Sequence, residues 1–272
     1  MSKARLIVAC VVAALVACGG GDPPAAPITP ADAGTTLTSS IASAQTGISY
    51  DMDVWLPPGY AQATVTYPVI YAMDCEYRFA TLVAILQQRI GQGGAPVILV
   101  NVCAMGAARR WIDFTMPGAS SYYRFLTVEL IPSIDKIYRT NRSSRVLSGH
   151  SLSGEFALYA LYLEDPANRY FTSIIAEECS CWYDASMVFS QQLALPLAME
   201  QAMYNADHRL PVSLILAGDE LANEVPVKAV YDVISGRHYQ DLRLYQPTYR
   251  LGHVPMDGPA FNDALTLVFS GS

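Results

Sequence analysis

Hydrophobic residues follow two patterns along this chain, and both are typical of β-strands. Residues 48–56 alternate between apolar and smaller or polar positions, which is the period of a half-buried strand, and Pro57-Pro58-Gly59 ends it. Five shorter runs are apolar at nearly every position, as strands covered on both faces are. These runs are residues 69–73, 98–102, 145–148, 173–176 and 212–217, and residues 242–249 are also strand-like.

Segments with helical periodicity lie between these strands. They cover residues 79–90, 122–138, 155–163, 187–202 and 227–234, and a last helix follows residue 255. Strands that alternate with helices predict an α/β fold, with a mostly parallel central sheet and helices on both faces. In such sheets ligands bind beyond the carboxyl ends of the strands, so candidate chemistry is sought in the loops there.

A turn rich in glycine and serine links strand 145–148 to the helix that follows it. It reads Gly149-His150-Ser151-Leu152-Ser153-Gly154. A sharp strand-to-helix turn of this kind lifts one serine above the sheet and points the first helical amides at its target. We therefore predict a nucleophile elbow with Ser151 as the nucleophile. Ser153 occupies the last glycine position of the G-x-S-x-G pattern, and the alternative is a turn without chemical function.

A serine nucleophile needs a base and a carboxylate that orients the base. His253 is the favoured base because it lies in a Gly/Pro loop near the C-terminus, in the chain order serine, acid, histidine. The acid is expected on the loop after strand 212–217. Glu220 is favoured there, ahead of Asp219 and then Glu224, although these carboxylates are equally consistent with a solvated loop.

Stabilising the developing negative charge requires two hydrogen-bond donors. The backbone N–H of Leu152, directly after the nucleophile, is the first expected donor. The second is expected in the loop after strand 69–73, from the N–H of Cys75 or of Glu76.

Composition indicates one large globular domain that does not bind nucleic acid. Of the 272 residues, 52% are hydrophobic and 15% are charged, which is enough apolar material for a single core. The formal net charge of -7 argues against a nucleic-acid partner, since little here would neutralise phosphates.

The N-terminus reads as a targeting segment. Lys3 and Arg5 precede an apolar run at residues 6–16, which closes in Leu15-Val16-Ala17-Cys18 and resembles the lipobox of bacterial lipoproteins. We expect a signal peptide at 1–17, a lipidated Cys18, a flexible tether at 18–38 and the folded domain at 39–272. The protein would then be extracytoplasmic, anchored to the cell envelope at the outer membrane. An ordinary secretory signal is the alternative.

Four cysteines remain in the predicted domain, an even number that suits an oxidising compartment. Cys75 and Cys103 each follow a predicted parallel strand, so we expect these two to form a disulfide. Cys179 and Cys181 are the others. A metal site is not expected, because the chain has neither a CxxC pair nor clustered histidines.

Several segments in this order resemble the putative-esterase family of α/β hydrolases, which includes enterochelin esterases, esterase D-like enzymes, feruloyl and acetyl esterases, and mycolyltransferases. The segments are VWLPPGY (54–60), YPVIYAMD (67–74), FL (125–126), ELIP (129–132), YRT (138–140), GHSLSG (149–154) and GH (252–253). The resemblance implies the α/β-hydrolase fold and hydrolysis of a small-molecule carboxylic ester through an acyl-enzyme. It implies no metal or organic cofactor. The N-terminal segment, by contrast, is the basis for expecting contact with the membrane only through the lipid anchor.

The resemblance also suggests residues that contact substrate. Trp182 and Tyr183 follow Cys179-Ser180-Cys181 where relatives carry Ser-Pro-Ser and two aromatic residues, so they are expected to line the cleft, although Trp182 is equally consistent with the core. Arg110 lies in a segment that relatives keep beside the active site, and it would bind an anionic or hydroxylated part of the substrate. The alternative for this segment is an arginine paired with Asp113.

Three departures from the family pattern bear on function. Cys75, itself a candidate for the second oxyanion donor, replaces a glycine of the family pattern. Ser153 replaces the last glycine of the elbow, and Cys179-Ser180-Cys181 replaces Ser-Pro-Ser. Two other functions therefore stay open at this point. One is an acyltransferase on the same fold, and the other is a non-catalytic surface protein that binds a ligand in the cleft.

Overall fold

A computed structural model of the chain describes residues 33–181 and 194–269. Cys18, the predicted signal peptide, and the substrate-contacting candidates Trp182 and Tyr183 lie outside the described residues.

The described residues form one nine-stranded sheet in the order β1-β2-β4-β3-β5-β6-β7-β8, with β9 also paired to β7. The strands are β1 Thr35–Ala42, β2 Ser49–Leu56, β3 Tyr67–Met73, β4 Ile98–Val102, β5 Thr140–His150, β6 Ser173–Glu177, β7 Ser213–Asp219, β8 Arg243–Tyr245 and β9 Thr248–Tyr249. Pairing is antiparallel from β1 to β2 and from β2 to β4, and parallel in the other pairs. This arrangement confirms the predicted fold class.

The first strand corrects the predicted start of the folded domain. Thr35 to Thr38 pair with Leu56 to Asp53 of β2, so residues that we assigned to the tether belong to the sheet. The strand was not recognised because it is an edge strand whose side chains are nearly all exposed. Its threonines and serines therefore lack the apolar alternation that marks a half-buried strand.

Helices cover both faces of the sheet. They are α1 Cys75–Gly91, α2 Ala107–Phe114, α3 Gly118–Arg124, α4 Ile131–Ile137, α5 Leu152–Leu163, α6 Ala194–Ala206, α7 Glu224–Arg237 and α8 Asp257–Phe269, with a π-helical segment Phe125–Leu130 between α3 and α4. Helix α2 was not predicted. The single predicted helix 122–138 is a run of three segments that starts four residues earlier.

Alternate residues of the central strands divide the core into two layers. Val69, Tyr71 and Met73 of β3 pack into a large cluster with residues of α5 and α7. Ile70 and Ala72 point to the opposite face, where α1 and α8 cover them. Burial on both faces explains why these strands are uniformly apolar in sequence.

The turn from β5 into α5 depends on two glycines. A Cβ on Gly149 would lie 2.0 Å from the carbonyl oxygen of Ser153, and one on Gly154 would lie 2.8 Å from the carbonyl oxygen of Glu177. Between them Ser151 has φ 61° and ψ -121°, a conformation that L-residues rarely adopt. Strained backbone of this kind is typical of a nucleophile elbow and holds Ser151 above the sheet.

We expect Gly149→Ala to destabilise the protein by about 3 kcal/mol or more, because the added methyl group would force the elbow open. Urea unfolding of the purified variant, followed by circular dichroism, measures this change. Gly236→Ala is the matched control, because outside its own helix backbone no atom of the described residues lies within 4 Å of its added Cβ. In α7 this substitution should stabilise the protein by about 0.5 to 1 kcal/mol. Equal stability of the two variants would contradict the tight elbow.

Candidate active site

Ser151 and His253 meet at the carboxyl edge of the sheet. The Oγ atom of Ser151 lies 2.9 Å from Nε2 of His253. The backbone of the serine is tied to the neighbouring strand, since its N–H donates to the carbonyl oxygen of Glu177 at 2.9 Å. The two residues that the sequence predicts as nucleophile and base are therefore within hydrogen-bond distance.

The carboxylate against this histidine is Glu178, which the sequence analysis did not select. Its Oε2 lies 2.8 Å from Nδ1 of His253. The side chain is fully buried, and its Oε1 accepts N–H bonds from Asp219 at 2.7 Å and Asn223 at 3.1 Å. These donors compensate for burying a carboxylate, which would otherwise be costly.

The predicted acids lie elsewhere, and the assignment to Glu220 is corrected. Glu220 is exposed, and its nearest charged partner is Arg250 at 3.8 Å. Glu224 is the first residue of α7. Both β6 and β7 end at the same edge of the sheet, and Glu178 has a left-handed φ of 49° directly after β6. The carboxylate that faces His253 therefore follows β6, one strand earlier than predicted.

Asp219 holds the loop that carries His253. Its Oδ2 accepts the N–H of Leu251 at 2.6 Å and of Gly252 at 3.0 Å, and its Oδ1 accepts the N–H of Leu221 at 2.8 Å. Burial acts to raise the pKa of this carboxyl, but the backbone donors outweigh it and lower the pKa below its ordinary value. Asp219 therefore stays ionised and positions the histidine loop from behind.

Two helices begin beside Ser151. Leu152 is the first residue of α5, and Cys75 is the first residue of α1, which follows β3. The first N–H groups of a helix have no partner within the helix and can bind an anion. Cys75 is joined to Cys103 at the end of β4 by a disulfide, which ties the start of α1 to the adjacent strand. Glu76, the other candidate, uses its side chain to accept the N–H groups of Ala104 and Met105.

A second disulfide joins Cys179 and Cys181 immediately after Glu178. Ser180, between them, donates its backbone N–H to the carbonyl oxygen of Ser151 at 3.0 Å. Its Oγ lies 3.4 Å from Oγ of Ser151. The loop after β6 thus contacts Ser151 directly.

Ser151 and His253 open into a cleft of about 300 Å³, which Tyr77, Arg110 and Val254 also line. The guanidinium of Arg110 binds Asp74 through two hydrogen bonds, at 2.8 and 3.0 Å. The pairing with Asp113, which was the alternative for this segment, is made by Arg109. Arg110 therefore lines the cleft while it forms an ion pair with Asp74.

One buried arginine connects the segments that carry Ser151, Glu178 and His253. Arg78 of α1 donates to Glu177 and Asp257, and to the carbonyl and hydroxyl oxygens of Ser148 at 3.3 and 3.2 Å. Burial would lower its pKa, but the two carboxylates outweigh that effect and raise it. These partners precede Ser151 and Glu178 and follow His253, so Arg78 links all three segments.

His150, next to Ser151, also contacts His253. Its Nε2 lies 2.7 Å from the carbonyl oxygen of His253. Burial lowers its pKa to about 4, and the charge of Arg78 adds to this effect while Asp257 opposes it. The neutral ring therefore carries its proton on Nε2 and donates it to that carbonyl.

Among the residues that the structure describes, potential metal-ligand atoms cluster at Asp53, Cys75 and Cys103. The two sulfurs of this cluster are joined to each other, so neither is available as a thiolate. A search of the same residues for a helix of bilayer-spanning length and hydropathy finds none.

We expect the stability of the protein to fall as pH is lowered from 6.5 towards 4, partly because of His150. In that range the unfolded chain protonates this side chain while the folded protein does not, so the unfolded state is favoured. His150→Gln keeps an N–H donor and cannot titrate. Urea unfolding at pH 7, 5.5 and 4 should show wild type losing up to about 3 kcal/mol more than the variant. Parallel pH curves would contradict the neutral His150.

Comparison with known proteins is consistent with this geometry. The profile of the family described as "Esterase: Putative esterase" matches residues 43–181, about half of the chain. The ferri-bacillibactin esterase BesA of Bacillus subtilis (strain 168) is 26% identical in an alignment of 182 positions, which covers 57% of this chain and 60% of BesA. The chain thus spans about 60% of the length of that relative.

Two solved structures share the fold. An IroE-like serine hydrolase from Shewanella oneidensis superposes with a TM-score of 0.72 at 22% identity, over 87% of this chain and 80% of that chain. The siderophore hydrolase EstA from Aspergillus nidulans gives a TM-score of 0.74 at 18% identity, over 93% of this chain and all of that chain. The fold, the elbow and the family match agree, and the chain belongs to the putative-esterase family of α/β hydrolases.

Proposed function

We propose that this protein is an extracytoplasmic serine esterase that hydrolyses a carboxylic ester through Ser151, His253 and Glu178. The observation that carries the proposal is the continuous hydrogen-bond chain from the hydroxyl of Ser151 through the imidazole of His253 to the carboxylate of Glu178. It lies at the carboxyl edge of the sheet, where two helices begin, in a chain of an esterase family. Nucleophile, base and orienting acid are thus in the order that acyl transfer requires.

The first half of the reaction acylates the serine. Nδ1–H of His253 donates to Glu178, which leaves Nε2 free to accept the proton of Ser151 as its Oγ attacks the ester carbonyl carbon. The carbonyl π electrons move to the oxygen, and the resulting oxyanion accepts hydrogen bonds from the N–H groups of Leu152 and Cys75. When the tetrahedral intermediate collapses, the carbon–oxygen bond to the alcohol breaks. His253 then gives its proton to the leaving alkoxide.

The second half repeats these steps with water. His253 removes a proton from water as its oxygen attacks the acyl carbon, and the oxyanion is bound by the same two N–H groups. Collapse breaks the bond to Ser151 Oγ, which regains its proton from His253 as the carboxylic acid leaves. Every step uses groups of the chain itself and calls for no metal or organic cofactor.

The similar proteins suggest which esters to test first. BesA is named as an esterase of ferri-bacillibactin, and EstA as a siderophore hydrolase. We propose a small-molecule ester substrate, with iron-siderophore esters as the first panel and simple aryl esters as general probes. The cleft beside Ser151, about 300 Å³ in volume, suits an acyl group of modest size.

We also propose that a lipid on Cys18 anchors the domain to the cell envelope. The support is the sequence Leu15-Val16-Ala17-Cys18 together with the basic and apolar residues before it. The two disulfides of the domain suit an oxidising compartment. Radiolabelled palmitate incorporation that is lost in Cys18→Ala would support the anchor, and unchanged incorporation would refute it.

Labelling with a fluorescent fluorophosphonate tests the proposed nucleophile. Wild-type protein should be labelled, and Ser151→Ala and His253→Ala should not, since the reagent reacts only with an activated serine. The variants must remain folded, which circular dichroism checks. The matched control is Ser213→Ala, because the hydroxyl of Ser213 is buried on β7 and has no hydrogen-bond partner among the residues that the structure describes. A folded wild type that resists labelling would refute the esterase.

A comparison of two carboxylates tests the proposed acid. Glu178→Gln keeps the shape of the side chain but favours the wrong tautomer of His253, so kcat should fall by about 10³-fold. Glu220→Gln, the matched exposed variant, should keep kcat within about twofold. Full activity of Glu178→Gln, or a large loss in Glu220→Gln, would contradict Glu178 as the acid and favour a carboxylate in the loop after β7.

A further inference from the structure

Ser153 makes contacts that no glycine could make at this position of the elbow. It is fully buried, and its Oγ lies 2.7 Å from Oδ2 of Asp74, 3.0 Å from the N–H nitrogen of His150 and 2.9 Å from the carbonyl oxygen of His150. A hydroxyl has one proton to donate, and the shortest contact is to the charged carboxylate. Ser153 therefore donates to Asp74 and accepts from the backbone of His150.

Asp74 is held on its other side by Arg110. Nε and Nη2 of Arg110 donate to its two carboxylate oxygens at 2.8 and 3.0 Å, and Nη2 also lies 3.3 Å from the carbonyl oxygen of His150. The buried charge of Asp74 is thus paired with a cation and accepts hydrogen bonds on both oxygens. Its backbone has φ 65° and directly precedes Cys75 and α1.

These contacts begin where pairing between the two strands stops. The last paired residues of β3 and β5 are Ala72 and Ser148, so the sheet itself does not fix the distance between the segments beyond them. Cys75 follows β3 and Leu152 follows β5, which means that both proposed oxyanion donors lie past the end of the ladder. The contact from Ser153 to Asp74 spans this gap.

We infer that Ser153, Asp74 and Arg110 form an oxyanion clamp, which sets the spacing between the N–H groups of Cys75 and Leu152. The clamp rests on the proposed function, since it positions donors for that reaction. Its three members act through the backbone they hold and are positioning residues. The serine in the elbow thereby has a physical role that its glycine counterpart in the family pattern cannot supply.

Loss of the clamp should change the kinetic constants in a way that loss of a purely structural residue does not. Oxyanion donors act mainly on the transition state, so a shift in their spacing lowers kcat and leaves substrate binding nearly unchanged. A trifluoromethyl ketone, which forms a tetrahedral adduct with the serine, should lose affinity by the same factor as kcat/KM. A residue that only supports the fold would lower the melting temperature without this pattern.

The test uses Ser153→Gly, Ser153→Ala, Asp74→Asn and the double variant Ser153→Ala/Asp74→Asn, with p-nitrophenyl acetate and an aryl trifluoromethyl ketone as probes. Asparagine tolerates the left-handed backbone of residue 74, so its effect reports the lost charge. We expect each single variant to lose about 10-fold to 100-fold in kcat, with KM within about threefold. Because the residues act as one unit, the double variant should lose no more than the worse single one.

Ser153→Gly is the sharpest variant because it restores the G-x-S-x-G pattern. If serine is merely a tolerated substitute there, this variant keeps or raises kcat, and the clamp is overturned. Losses that multiply in the double variant, or a ketone affinity that does not follow kcat/KM, overturn it too. Ser213→Ala controls for the loss of a buried serine hydroxyl and should leave kcat unchanged.

Failure of the clamp and failure of the proposed function give different results. If the wild type shows no turnover that depends on Ser151, the esterase proposal fails. If the wild type turns over the ester and folded Ser153→Ala does so equally well, the esterase stands and the clamp is refuted.

Discussion

The buried guanidinium of Arg78 is the constraint on which the geometry of this site depends. A charge removed from water is costly unless it is paired and hydrogen-bonded, and Arg78 has both kinds of partner. The pKa of Glu177 is raised well above its ordinary value, chiefly by burial, whereas that of Asp257 is lowered because Arg78 outweighs its burial. Burial acts to raise the pKa of both carboxyl groups, and the positive charge of Arg78 acts to lower it at each.

The need to pair this buried charge explains why four segments of the sheet edge stay in register. Arg78 belongs to α1, which begins at the proposed oxyanion donor Cys75, and it binds Ser148 of β5, Glu177 of β6 and Asp257 of α8. Satisfying one cation requires all of these to keep their places. Stabilisation of the fold and alignment of the proposed triad thus come from the same interactions.

Besides Arg78, other contacts restrain each segment of the proposed active site. Asp219 holds the backbone before His253, and His150 binds the carbonyl oxygen of His253 itself. One disulfide ties the start of α1 to the residue after β4, and the other lies within the loop after β6. The contact from Ser153 to Asp74 joins the start of α5 to the start of α1. The groups of this site lie on loops beyond the sheet, where hydrogen bonds between strands do not hold them. Disulfides and hydrogen bonds to charged groups hold these loops instead.

The carboxylate that faces His253 follows a different strand from the one that the sequence predicts. Glu178 follows β6, and the carboxylate after β7, Asp219, supports the histidine loop instead. Both strands end at one edge, so either loop can reach His253 if its backbone turns the right way. The left-handed conformation at Glu178 and the bonds from Ser180 to Ser151 turn the β6 loop towards the base.

Local sequence determined the strand and helix periods and the elbow around Ser151, because each of these depends on residues close together in the chain, whereas the choice of His253 also used its position in the chain order after Ser151. The same local signals missed β1, whose exposed threonines and serines carry no apolar period. A pair of acidic residues at the end of β6, Glu177 and Glu178, was visible in the sequence but carried no mark that distinguished it from Asp219 and Glu220. Only the tertiary structure decided which carboxylate faces the base, that Arg110 pairs with Asp74, and that Ser153 bridges two loops. Those contacts depend on backbone direction and on distances across the sheet edge, which one-dimensional patterns do not encode.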